Sequence, residues 1–262
     1  MANDYNHSKV QIVLYILYSW TLSLPRRIYP RRWRKTPRVN PVKYGIITLS
    51  FNNDLYNGFD DYKRRYYKMA GVPNRFAFSE PAERPKASED IIHLTNCIES
   101  TPTLLERFLF ALRELENDQE WRSCDYIIRA NASTFVNLEM LDRYLRILPR
   151  KKCYAGFISF HRYAMGTCIV FSRDVADRLA RLDPGPERFR SDDVLLRDYM
   201  LSWGVPMRPL PMRFFLDDRI QSEEEIAKAL SEYPLLRIKS RGNRELYDMD
   251  IWKKIALIKR IP

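Results

Sequence analysis

The sequence predicts an α/β protein in which a mainly parallel sheet is flanked by helices, with a helical extension at the C-terminus. Two observations carry this. Short apolar runs rich in β-branched residues alternate with longer stretches whose apolar residues recur every three or four positions. The segment 124–138, CDYIIRANASTFVNL, passes from a buried strand into small polar residues and then into a new apolar element. That arrangement sets polar side chains at the carboxyl edge of a sheet, where ligands bind in open α/β folds.

Taken in order, residues 44–51 (YGIITLSF) read as a first parallel strand and 54–70 as a tyrosine-rich helix stopped by Gly71. Strands follow at 74–78 and 90–94, separated by the polar, proline-containing loop 81–89. A helix at 101–115 is marked by Leu104, Leu105, Phe108, Leu112 and Leu115 on one stripe. The strand 125–130 runs into a polar turn, 131–134. A helix at 138–148 ends before Pro149, and 153–157 and 167–171 read as strands. Ser172 and Asp174 open a helix at 172–182, and the adjacent Asp192 and Asp193 open one at 192–201. Residues 222–231 and 245–258 are predicted helical, joined by the basic segment LLRIKSRGNR. The chain therefore divides into an arm (1–40), a body (41–215) and the extension (216–262).

With 262 residues, 45% hydrophobic and 29% charged, the composition is globular rather than disordered. The formal net charge of +11 suggests nucleic acid until it is located. Nine Lys and Arg, and no Asp or Glu, lie between Tyr5 and Asn53, so the excess belongs to the arm and its junction with the body. No nucleic-acid partner is expected. The four cysteines, Cys97, Cys124, Cys153 and Cys168, form no CxxC pair and the three histidines are scattered, which argues against a zinc site.

The arm carries a 15-residue apolar run, VQIVLYILYSWTLSL, followed by seven basic residues between Arg26 and Arg38. A membrane-spanning helix takes about 20 apolar residues. Three readings stand: a helix packed on the body, an interfacial helix with residues 9–38 on an anionic membrane surface, or a short signal anchor. Basic residues after the apolar run keep the body cytoplasmic under the positive-inside rule. A cytoplasmic body also avoids glycosylation of the Asn131-Ala132-Ser133 sequon at the predicted ligand edge.

Six landmarks then occur in order. They are Glu89-Asp90-Ile91-Ile92, the helix from Thr101, the segment 125–138, Tyr154-Ala155-Gly156, the stretch from Tyr163 through Gly166 to Asp174, and Asp192-Asp193-Val194 with Trp203-Gly204-Val205 behind it. Over roughly half the chain they resemble the fringe and β-1,3-galactosyltransferase families of inverting glycosyltransferases with the GT-A fold. A looser similarity is to short chlorovirus-type glycosyltransferases. The resemblance implies transfer of a sugar from a nucleoside-diphosphate donor, UDP by the family pattern, to a hydroxyl of a glycan acceptor. It implies Asp193 as general base, with Asp192 as second choice. Thr48, Ser50, Arg129, Asn131 and Ser133 are implied on the donor side, and His161, Arg162 and Gly166 on the acceptor side.

One departure stands out. The family sequence "YVLKTDDDVFVNL" has three aspartates where this chain has Asn131, Ala132 and Ser133. Those acids help hold Mn²⁺ against the donor diphosphate. Neutral amide and hydroxyl oxygens hold a divalent ion weakly, so no protein metal ligand is expected and Mn²⁺ is predicted not to be required. Cationic groups, Arg129 or Arg237, Lys239 and Arg241, are the expected substitutes on the diphosphate. Two other classes remain open: a non-catalytic carbohydrate-binding or scaffold protein on the same fold, and a nucleic-acid-binding protein. Asp192 and Asp193 also suit an ordinary helix N-terminus, and Asn131 and Ser133 an ordinary turn.

Overall fold

A computed structural model of the chain describes residues 41–79, 90–94, 104–159, 163–183 and 191–262. The arm, Cys97, His161 and Arg162 lie outside the described residues, and so do the expectations placed on them. No helix among the described residues is long and apolar enough to cross a membrane.

Ten strands and eight helices follow one another along the described chain. Strands β1 (Tyr44–Leu49), β2 (Asn74–Ser79), β3 (Ile91–Leu94), β4 (Tyr126–Asn131), β6 (Tyr154–Ile158), β7 (Ala164–Ser172) and β8 (Met207–Pro209) form one seven-stranded sheet in the order β3-β2-β1-β4-β7-β6-β8. β3, β2, β1 and β4 are parallel. β7 is inserted antiparallel to both β4 and β6. A second sheet, β5-β10-β9, joins β5 (Thr134–Val136), β10 (Leu235–Ile238) and β9 (Met212–Phe215). The mainly parallel α/β sheet expected from the sequence is present.

The helices are α1 (Asp54–Met69), α2 (Leu104–Glu114), α3 (Gln119–Arg122), α4 (Leu138–Leu145), α5 (Arg173–Ala180), α6 (Asp192–Ser202), α7 (Glu223–Glu232) and α8 (Arg244–Lys259). Two cores lie on the two faces of the large sheet. One gathers Ile46, Ile128 and Ala130 with Phe59, Tyr66, Tyr67, Leu235 and Trp252, that is, α1, the small sheet and α8. The other gathers Ile47, Leu49 and Ile127 with Phe108, Leu112, Trp121, Leu179 and Leu195, that is, α2, α3, α5 and α6. The central strands are buried on both faces, which is why apolar residues dominate them rather than alternate with polar ones. Gly45 admits the Trp121 ring against β1; a Cβ there would stand 2.7 Å from the indole.

The C-terminal region departs from a purely helical extension. Its two helices form as expected, and α7 opens on a capping box of Ser222 and Glu225. The basic segment between them contains β10, which pairs antiparallel with β5 and parallel with β9. Strands of three or four residues leave almost no period to detect, and β5, β8, β9 and β10 were not read as strands from the sequence.

Candidate active site

Strand β4 puts the site together. Its side chains alternate, so Ile127, Arg129 and Asn131 project to the face covered by α2, α5 and α6. Arg129 is fully buried there. Its guanidinium forms an ion pair with Asp192 and lies 3.8 Å from Asp193, so both acids at the start of α6 converge on it. Neighbouring residues of a helix ordinarily point apart, yet both carboxylates reach the one guanidinium. The planar guanidinium offers several N–H donors, and in a buried setting two carboxylates gather on it rather than remain uncompensated.

β7 closes the other side. Its register pairs Ala130 with Cys168, so Gly166 sits beyond the paired end of β4. The Gly166 backbone lies against the Asp193 carboxylate and helps to hold its pKa down. A Cβ at Gly166 would stand 2.3 Å from Asp193 Oδ1 and 3.0 Å from both terminal nitrogens of Arg129. Gly166→Ala is therefore expected to push Asp193 off Arg129 and lower turnover by about tenfold or more, measured as kcat on a folded variant. Wild-type kcat in that variant would show that the contact is slack.

Burial pushes the Asp193 carboxyl up to about 7, and the negative charge of Asp192 adds to the rise; Arg129 and the Gly166 backbone oppose it. Two carboxylates share one guanidinium, so the cluster holds an extra proton well above the usual carboxylate range. Tyr163 stands near it: burial first, then the Asp193 charge, raises its phenol. The sequence did not single out Tyr163 for a role, since a tyrosine before a strand carries no signal of its own.

Asn131 ends β4 on the same face as Arg129, so its amide and the acids share one side of the sheet. Its Oδ1 is buried without a hydrogen-bond partner. Ser133 is buried, and its carbonyl accepts from the Ile238 N–H at 2.9 Å. Thr48 and Ser50 are fully buried, and Ser50 Oγ donates to Asp60 of α1. Ser50 thus lies on the other face from the acids. Arg107 of α2 donates to the carbonyls of Ser50 and of Ala77, tying the carboxyl ends of β1 and β2 together.

A cationic group flanks the turn from β10. Arg237 donates to Thr134 Oγ1 at 3.3 Å. Burial, then the positive charges of Arg237 and Arg244, lower the Lys239 ammonium. Among the described residues no three His, Cys, Asp or Glu side chains gather where they could share a metal ion. The amide, methyl and hydroxyl of the turn do not fit the Mn²⁺ that the family resemblance implies. Arg241 is held differently from Arg237: its N–H and that of Gly242 donate to Asp218 Oδ1 at 2.8 and 2.7 Å.

No protein-family model and no curated protein matches the chain. Solved structures do. One is a glycosyltransferase involved in glycosylation of the major capsid of PBCV-1, at 10% identity and TM-score 0.46, over 79% of this chain and 98% of that one. Another is a mannosyltransferase from Pyrobaculum calidifontis in complex with GDP-Man and Mn²⁺, at 12% identity and TM-score 0.43. That match covers 75% of this chain and 62% of the mannosyltransferase. A third, from Desulfovibrio desulfuricans G20, is assigned as a nucleotide-diphospho-sugar transferase, at 8% identity and TM-score 0.40, over 83% and 96% of the two chains.

Proposed function

We propose that the protein is an inverting glycosyltransferase that moves a sugar from a nucleoside-diphosphate donor, UDP in the first instance, to a carbohydrate hydroxyl. The observation that carries this reading is the Asp192–Asp193 pair on the buried Arg129, with the Asp193 side chain 19% exposed, beside Gly166 and at the carboxyl edge of the sheet. A base suits neutral pH when its own pKa lies near it, and Asp193 is pushed up to about 7.

In this mechanism Asp193 accepts the proton of the acceptor hydroxyl. The hydroxyl oxygen forms a bond to the anomeric carbon from the face opposite the leaving group. The bond from that carbon to the diphosphate oxygen breaks, and the electron pair leaves with the nucleoside diphosphate. Asp192 and Arg129 hold Asp193 in place. Arg129 is engaged by the two acids, and we assign the departing diphosphate to Arg237 and Lys239, which flank the turn from the small-sheet side. Asn131 and Ser133 supply neutral contacts to donor hydroxyls.

The direct test is calorimetric titration of the full chain with UDP- and GDP-sugars, with and without Mn²⁺, beside a transfer assay in EDTA. A nucleotide sugar is expected to bind with an affinity that EDTA changes by less than about twofold, given the turn's neutral ligands. Loss of binding and transfer on chelation, restored by Mn²⁺, would refute metal independence. Absence of binding by any nucleotide sugar would refute the function itself.

The pH profile is a second expectation. The base works only when deprotonated, so kcat/KM should rise with pH through about 7. The same proton affects stability with a definite sign. Folded Asp193 holds it between the ordinary carboxylate value of 3.8 and about 7, and the unfolded chain does not. This group's contribution to stability therefore falls as pH rises across that window. A profile flat from pH 5 to 9 would count against Asp193.

A further inference from the structure

We propose that Lys63 is a positioning residue, fixing the turn after β4 from beneath and so setting how Asn131 and Ser133 face the donor. The inference rests on the reading above for what the turn binds, but its structural part stands without it.

Lys63 sits in the middle of α1 with a fully buried side chain. Its ammonium donates to the carbonyl of Asn131 at 3.2 Å and to the carbonyl of Ala132. Asp60, one turn back on α1, brings Oδ1 to 4.0 Å from it and accepts a hydrogen bond from Ser50 of the β1 end. The Trp252 ring of α8 lies beside it, 5.6 Å from the ammonium to the ring centre. A buried ammonium has three donors to satisfy, and here two of them go to consecutive carbonyls of the candidate donor turn.

The rest of the turn is held from other directions. The Ala132 N–H donates to Leu49 of β1 at 3.1 Å, and the Ser133 carbonyl accepts from Ile238 of β10 at 2.9 Å. β1 and β10 thus fix one backbone group each, and Lys63 fixes two. Nothing in a general packing role requires that charge. A methionine would fill the same space without the desolvation cost of a cation, which lowers the Lys63 ammonium to about 8. A methionine could not hold two carbonyls.

Lys63→Met tests this, together with the double variant Lys63→Met/Asp60→Asn, which leaves no lone buried carboxylate. Three readouts apply. Backbone hydrogen exchange at Ala132 and Ser133 should quicken at least about tenfold relative to core amides such as Ile128, since their local opening becomes easier. The dissociation constant for UDP should rise about tenfold, the worth of one mis-set hydrogen bond. The midpoint of the pH profile should stay where it is, because Asp193 lies across β4 from α1. If a folded double variant keeps wild-type exchange at 132 and 133, or loses protection evenly over the whole chain, Lys63 is a packing residue and the proposal fails. If wild-type protein does not bind UDP, the donor assignment fails while the exchange result still decides the role of Lys63.

Discussion

Asp193→Asn is expected to lower turnover by about 10²–10⁴-fold while leaving the donor's dissociation constant within about twofold. The amide keeps the size of the carboxyl and an oxygen against the Gly166 backbone. What it loses is the ability to take a proton. Asp192→Asn should behave differently. Removing its negative charge takes away an influence that raises Asp193, so activity persists and the pH midpoint moves to lower values. The pair of variants separates the roles. A dead Asp192→Asn beside an active Asp193→Asn would move the base by one residue, and two active variants would exclude an aspartate base.

Arg129→Met carries the largest expected cost to stability, about 3–5 kcal/mol at pH 8, because it leaves two buried carboxylates facing each other with no cation between them. Arg129 is fully buried and its partners are mostly so, and solvent screens the cluster little. The deficit has a pH signature. Without the guanidinium that opposes its rise, Asp193 holds its proton to still higher pH. The variant should therefore regain stability relative to wild type as pH falls toward 5. Urea unfolding at pH 5 and pH 8 checks this. A deficit that is small, or equal at both, would mean that the carboxylates rearrange into water.

The large sheet was legible because its strands announce themselves. YGIITL and YIIRAN are buried on both faces, and doubly buried strands are rich in apolar, β-branched residues, with Arg129 and Asn131 as the exceptions that mark the site. The helices were legible from their stripes and ends, α2 from Leu104, Leu105, Phe108 and Leu112. The direction of β7 was not, since a strand's sequence does not record whether its neighbour runs with or against it. For the site, Asp192, Asp193, Arg129 and Gly166 were all named from sequence, but in different groups. Arg129 was placed on the donor diphosphate and Gly166 on the acceptor, whereas both lie against Asp193. Periodicity places a residue on a strand or helix; it does not say which chain-distant side chain it meets. Lys63 was missed although it left a trace. It falls on the buried stripe of α1 with Phe59, Tyr66 and Tyr67, and a charge on such a stripe signals a specific partner.

The pairing of β10 with β5 bears on the order in which the protein is made. Thr134, next to the candidate donor turn, has its partner Arg237 at 103 residues' remove. A chain emerging from the ribosome exposes β4 and its turn long before β10 exists, and domains fold as their segments become available. The large sheet can be nearly complete while the turn still lacks the strand that anchors Ser133. The turn after β4 thus matures only once β10 has been made, and a chain cut short before Leu235 would carry the acids on Arg129 but not the strand that anchors Ser133.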